Sequence, residues 1–179
     1  MPAAAALLAL ALMAPATPGR VFDFDARLAL GTGTRLDRTP NTDLFFELGL
    51  LFRIRLDGGN SPGLAPTLLP ELSYALLWTP GTTRRDDAVV LGCGYGWTYG
   101  PLLMGFVPGV VVGSFRDRET DDPALGGGLR LAAIVELKHF VGVQAAYQTA
   151  FRQDQFVHEV YASVSLNFMG LAVLWLAGH

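Results

Sequence analysis

The chain has 179 residues, room for one domain and one core. Apolar residues make up 51% and charged residues 16%, against roughly 25% charged in an ordinary soluble domain, and the net charge is −3. This balance excludes an extended disordered chain and a nucleic-acid footprint of clustered Lys and Arg, and the single Cys93 excludes a disulfide framework or a multi-cysteine zinc site.

Residues 1–18 carry no charge and hold an apolar run at 3–13. The run is short of the about 20 residues of a membrane-spanning helix, but it has the length of a signal-peptide core. Ala14-Pro15-Ala16 supplies the small residues of a cleavage site, although no Lys or Arg precedes the run. Residues 1–16 are therefore expected to be a signal peptide, and the mature domain to cover 17–179. A buried or interfacial N-terminal helix is the alternative.

From 21 to 36 the chain alternates. Phe22, Phe24, Ala26, Leu28 and Leu30 share one phase, and Asp23, Asp25, Arg27, Ala29, Gly31 and Gly33 share the other. Successive side chains on a strand point to opposite faces, so this is a strand with one apolar and one polar or small face. Residues 43–57 repeat the pattern, with Leu44, Phe46, Leu48, Leu50, Phe52, Ile54 and Leu56 against Asp43, Phe45, Glu47, Gly49, Leu51, Arg53, Arg55 and Asp57. A third strand, 64–78, opposes Leu68, Leu72, Tyr74, Leu76 and Trp78 to Thr67, Glu71, Ser73 and Ala75. Pro66 and Pro70 weaken its first half, because proline removes a ladder donor. A fourth covers 88–99, with Gly92, Gly94 and Gly96 on the phase opposite Leu91, Cys93, Tyr95 and Trp97. The fifth runs over 102–114, with Pro108-Gly109 expected as a bulge or bend.

The sixth strand, 127–137, sets Leu129, Leu131 and Val135 against Arg130, Ile134 and Glu136. The seventh, 140–151, sets Val141, Val143, Tyr147 and Phe151 against Gly142, Gln144 and Gln148. The eighth begins near Phe156 and opposes Val160, Val164, Leu166 and Phe168 to Glu159, Tyr161, Ser163 and Ser165. A helix would space its apolar residues three and four apart, so the period argues for strands throughout. The connections 37–42, 79–87, 115–125 and 152–155 are polar or charged, whereas Gly58-Gly59-Asn60, Gly100-Pro101 and Lys138-His139 read as tighter turns. Long loops at one end and short turns at the other are the plan of an up-and-down barrel.

The strands exceed the about 5–6 residues usual in soluble sheets and suit tilted transmembrane strands of about 9–11. Arg27, Glu47, Arg53, Arg55, Glu71, Arg130, Glu136 and Glu159 all fall on the polar phase, and the apolar faces of these strand cores carry no charge. The expected fold is all-β, an eight-stranded antiparallel up-and-down transmembrane β-barrel with its apolar residues outward. In hydrocarbon every unpaired backbone group costs several kcal/mol, so such a sheet must close. Eight strands leave an interior just wide enough for side chains, which predicts a filled lumen without a wide pore. The enclosed charges must pair, and Glu47 and Glu71 are expected near Arg53, Arg55 or Arg130. Trp78, Phe151 and Phe156 fit an outer aromatic girdle, and Phe22, Tyr99, Phe140 and Phe168 a periplasmic one.

Hydropathy alone also flags the uncharged stretches 88–115 and 160–178 as helices of an inner-membrane protein. Repeated glycines with Pro101 and Pro108 favour strands in the first, while 171–176 fits either state.

Residues 20–168 resemble the small eight-stranded bacterial outer-membrane barrels, the OmpA-like or outer-membrane β-barrel domain group. The likeness rests on the amphipathic strands, Gly94-Tyr95-Gly96-Trp97, the polar loops and the late Phe168. It implies residence in the bacterial outer membrane, contact with its lipids and lipopolysaccharide, and insertion by the barrel-assembly machinery. It also implies a structural or surface-interaction role, with an unidentified surface protein as a further partner. Such proteins usually end in an aromatic residue read by that machinery. Here 169–179 follow Phe168, as a strand extension or an apolar tail.

Some barrels of this size are lipid A deacylases or palmitoyl transferases, which makes a lipid A-modifying enzyme the alternative function. A hydrolase needs a nucleophile, a base and a group that orients the base. His158 neighbours Glu159, but strand neighbours point to opposite faces, and Val160 stands where a serine two residues on would serve. His139 falls on a turn, and His179 is the last residue of the sequence. No catalytic, cofactor-binding or metal residue is assigned, and no enzymatic activity is expected. Asp86-Asp87 and Asp121-Asp122 are loop acids able to meet a divalent cation, and Arg84, Arg85, Arg116 and Arg118 are able to meet anionic headgroups.

Overall fold

The computed structural model describes residues 22–36, 42–58, 63–82, 84–116, 122–137, 140–153 and 155–168. The signal peptide expected at 1–16 and the segment 169–179 lie outside these residues, as do Arg118, Asp121, His139 and His179. Eight strands follow in chain order: β1 (Phe22–Arg35), β2 (Asp43–Arg55), β3 (Ala65–Trp78), β4 (Arg85–Tyr99), β5 (Leu102–Arg116), β6 (Pro123–Leu137), β7 (Val141–Arg152) and β8 (Gln155–Asn167). Each pairs antiparallel with its sequence neighbours, and β8 pairs with β1, so the sheet is a closed up-and-down barrel. Residues 88–115, the first segment of the helical alternative, are strands. Among the described residues no helix is long and apolar enough to cross a membrane, a statement that does not bear on strands.

The register gives the barrel its shape. One ring of ladder partners runs from Asp25 through Leu51, Glu71, Gly92, Gly109, Arg130, Gln148 and Glu159, and it returns to β1 at Arg35, ten residues beyond its start. Ten residues of stagger over eight strands tilt the strands by about 40° to the axis, given about 3.3 Å per residue and about 4.8 Å between strands. The stagger is even, so the ring closes without exchanging the two faces of the sheet. A slip of one residue in any ladder would turn buried charges outward, and the alternation holds the register against it.

Several boundaries differ from those expected. β4 begins at Arg85, β5 runs to Arg116 and β6 begins at Pro123, so three expected loop segments are strand instead. The connection 56–64, expected as a tight turn, is longer than 79–84 and 117–122, which were expected to be long. Loop length therefore does not distinguish the two ends. Gly92↔Gly109 and Tyr95↔Phe106 lie in one register, so Pro108-Gly109 inserts no bulge. Pro108 faces outward, where its ring lies on the apolar wall.

The glycine phase of β4 follows from close approach inside the barrel. A Cβ on Gly92 would meet Val107 Cγ1 at 2.9 Å and the Pro108 carbonyl oxygen at 3.1 Å. Val107 on β5 takes the space a side chain at Gly92 would fill, whereas Val90 and Val111 face each other with side chains on both strands.

Candidate functional site

Two surfaces of the wall carry the chemistry, and they are inverted relative to a soluble barrel. Leu48, Leu72 and Leu131 are 50%, 46% and 51% exposed, while their chain neighbours Glu47, Glu71 and Arg130 are 0%, 2% and 2% exposed. The same alternation runs along all eight strands. Exposed aromatic rings lie toward both ends of the wall. Trp78, Phe151 and Phe156 stand near the end where β1 leads to β2, β3 to β4, β5 to β6 and β7 to β8, and Phe22, Tyr99 and Phe168 near the other. Phe140 is only half-buried.

The interior is an ionic network that ties opposite walls together. Arg27 on β1 donates to Glu136 on β6 at 3.1 Å, to Glu47 on β2 at 3.2 Å, and to Glu71 on β3. Arg130 on β6 reaches back across the lumen to Glu47 at 2.9 Å and Glu71 at 3.3 Å. Gln144 on β7 donates to the same Glu47 carboxylate at 3.0 Å. Arg53 donates to Glu136 at 2.7 Å and pairs with Asp25. Removing an ion from water costs several kcal/mol, and only such dense pairing offsets it. Gly142 leaves room for this arrangement, since a Cβ there would meet Glu136 Cγ at 2.6 Å and Ser165 Oγ at 2.7 Å.

Above this network Phe45 stacks on Tyr161, with ring centroids 4.0 Å apart, and the Arg130 guanidinium lies 5.5 Å from the Tyr161 centroid. Beyond the stack, at the mouth, charges bind backbone as well as each other. Arg35 donates to the Arg116 carbonyl at 2.7 Å and to Asp86 at 3.4 Å, and Asp86 accepts from the Arg116 N–H at 2.6 Å. Arg152 donates to the Asp122 carbonyl at 2.7 Å. The spaces beside Glu159 and Tyr161 at one level, and beside Arg53 and Glu136 at the other, are each about 10 Å³, the size of one water. Among the described residues there is no large enclosed lumen.

Of the three arginines expected near Glu47 and Glu71, Arg130 meets both, whereas Arg53 serves Asp25 and Glu136, and Arg55 pairs with Asp57 at 2.8 Å. The central position of Arg27 was not foreseen. Its partner Glu136 lies on a strand that is not its sheet neighbour, and only barrel closure brings the two together. Asp86 is not a loop acid open to cations. It points inward and holds β5. Asp87 lies on the outer wall, where it accepts from Tyr74 Oη at 3.3 Å, and Arg85 is exposed beside it. His158 faces outward, with Nδ1 2.7 Å from Tyr147 Oη and its ring stacked near Phe156, while Glu159 points into the barrel. Among the described residues no three His, Cys, Asp or Glu side chains are grouped to hold a metal.

No family model matches the chain, and no curated protein or solved structure matches it. The fold and the two surfaces stand on their own geometry.

Proposed function

We propose that the barrel spans the outer membrane of a bacterium, as the likeness to OmpA-like barrels implies, with its outer wall in hydrocarbon and its ionic network as a packed core. The exposure of Leu48, Leu72 and Leu131 beside the burial of Glu47, Glu71 and Arg130 carries this reading. In water such a wall would expose a continuous apolar belt, far beyond the few hundred Å² that soluble monomers show. Strands of 12 to 15 residues tilted by about 40° rise about 30–38 Å, enough for an apolar band of about 25 Å and two girdles. Polar groups on the outer wall support the same depth, because Arg85, Asp87 and the His158–Tyr147 pair all sit toward one end, at headgroup level. With an export signal at 1–16 and an even number of strands, the start of β1 and the end of β8 face the periplasm, and the end bearing 79–84 and 117–122 faces outward.

The role is structural or one of surface interaction, without catalysis. The filled interior supports the absence of a wide pore, and the outer loops, lipids and lipopolysaccharide are the contacts this geometry offers. Protein extracted from membranes in detergent should give a far-ultraviolet circular dichroism spectrum dominated by β structure and should form no large stable channel in planar bilayers. Fractionation to the cytosol, or a helical spectrum, would contradict the reading. Lipid A incubated with the reconstituted protein should keep its acyl pattern. A mass change that disappears in His158→Ala would make the outward His158–Tyr147 pair a catalytic site instead.

A further inference from the structure

We infer that the small space beside Gln148, Glu159 and Tyr161 is a binding site for one water molecule, which joins the aromatic stack to the β7–β8 ladder by hydrogen bonds. The space measures about 10 Å³, room for one water, and its walls include Phe45, Asp86 and Ala88 as well as those three residues. Gln148 and Glu159 are ladder partners, and Tyr161 stands two residues along β8 on the same inward face. Gln148 Nε2 donates to Glu159 Oε2 at 2.6 Å. That contact fixes the amide, since exchanging its N and O would set two acceptors against each other. Gln148 Oε1 is then an acceptor, and neither it nor Tyr161 Oη has a hydrogen-bond partner among the described residues. Both side chains are 4% exposed, so bulk water does not serve them. The Tyr161 ring is held in place by Phe45, stacked at 4.0 Å, and by the Arg130 guanidinium, 5.5 Å from its centroid.

The valences around the space select its ligand. A carboxamide oxygen and a carboxylate only accept, whereas a tyrosine hydroxyl also donates. Water accepts from the Tyr161 O–H and donates to Gln148 Oε1 and to the Glu159 carboxylate. Those are three hydrogen bonds, within the two to four that hold a buried water. A buried polar group without a partner is costly, and one water serves both Gln148 and Tyr161. A metal cation fits less well, because it gives the Tyr161 proton no acceptor. Guanidinium groups also stand close by, Arg130 over the Tyr161 ring and Arg35 on Asp86. The site lies inside the barrel, so it does not depend on what covers the outer wall.

Crystals of the full chain that diffract well enough to show ordered water test the site directly. One peak is expected within about 3.2 Å of Gln148 Oε1, Tyr161 Oη and a Glu159 oxygen. Contacts of about 2.3–2.6 Å to those oxygens would give the site to a hard cation and overturn the inference. The absence of a peak, or a Tyr161 hydroxyl bonded directly to protein, would overturn it too. In solution, deuterium relaxation dispersion of the solvent counts long-lived internal waters in the detergent-folded barrel. Ala88→Val places methyl groups in the space and should lower that count by one, with the circular dichroism spectrum of the wild type retained. Ala75→Val fills the same space from β3 and replaces the first variant should that one not fold. An unchanged count in a folded variant would overturn the inference.

Discussion

The middle of the barrel and its mouth both bury charge, but they use it differently. In the middle, Arg27, Arg53 and Arg130 bind carboxylates on other strands, and several of those bonds cross the lumen. At the mouth, Arg35 and Arg152 bind backbone carbonyls of Arg116 and Asp122, and Asp86 binds a backbone N–H. The middle is a cross-brace between walls, each ion sharing two or more partners. The mouth is a set of ties that hold strand ends and loop bases. A brace fails as a unit, whereas a tie fails locally, and substitutions should separate the two.

The largest effect is expected at Arg27. Arg27→Ala leaves Glu47, Glu71 and Glu136 buried with less compensation, and the loss should reach about 5 kcal/mol, the top of the range for a broken buried pair. Urea unfolding of the detergent-folded barrel measures it. Glu71→Ala should cost about 3 kcal/mol in the same assay, because Arg27 and Arg130 each keep Glu47. The mouth should yield less than Arg27. Arg35→Ala loses the bond to the Arg116 carbonyl and the 3.4 Å pair with Asp86, together about 3 kcal/mol because Asp86 keeps the Arg116 N–H, and it should open the ends of β4 and β5 to limited proteolysis before the barrel itself unfolds. Pro80→Ala, exposed in the 79–84 connection, should stay within about 0.5 kcal/mol. If Arg35→Ala destabilised the whole barrel as much as Arg27→Ala, the distinction between brace and tie would fall.

The alternation of Leu and Phe with Asp, Glu, Arg and Gly was enough to locate the eight strands, the inward faces of all but the fifth and the inverted wall, because period two is a local property. Closure follows from the same pattern, as does the need of Glu47 and Glu71 for an arginine, but the choice of Arg130 over Arg53 and Arg55 rests on register. The partners of Arg27 and Arg53 do not follow from it either, since they depend on a ten-residue stagger that no single strand records. The mouth was misread for a different reason. Arg84-Arg85-Asp86-Asp87 has loop composition, yet Asp86 is drawn into the sheet because Arg35 and the Arg116 N–H satisfy it there. A charged tetrapeptide looks the same in a loop as at a strand end that has partners waiting.

The central claim is that the apolar wall faces hydrocarbon, and Cys93 offers a direct probe of it. It is the sole cysteine, it is exposed on the outer wall, and it lies near the middle of β4. A nitroxide attached to Cys93 in protein reconstituted into lipid vesicles reports collisions with dissolved oxygen, which concentrates in hydrocarbon, and with a polar nickel chelate, which stays in water. Greater accessibility to oxygen than to the chelate is the predicted result. Greater accessibility to the chelate would place this wall in water and contradict the account.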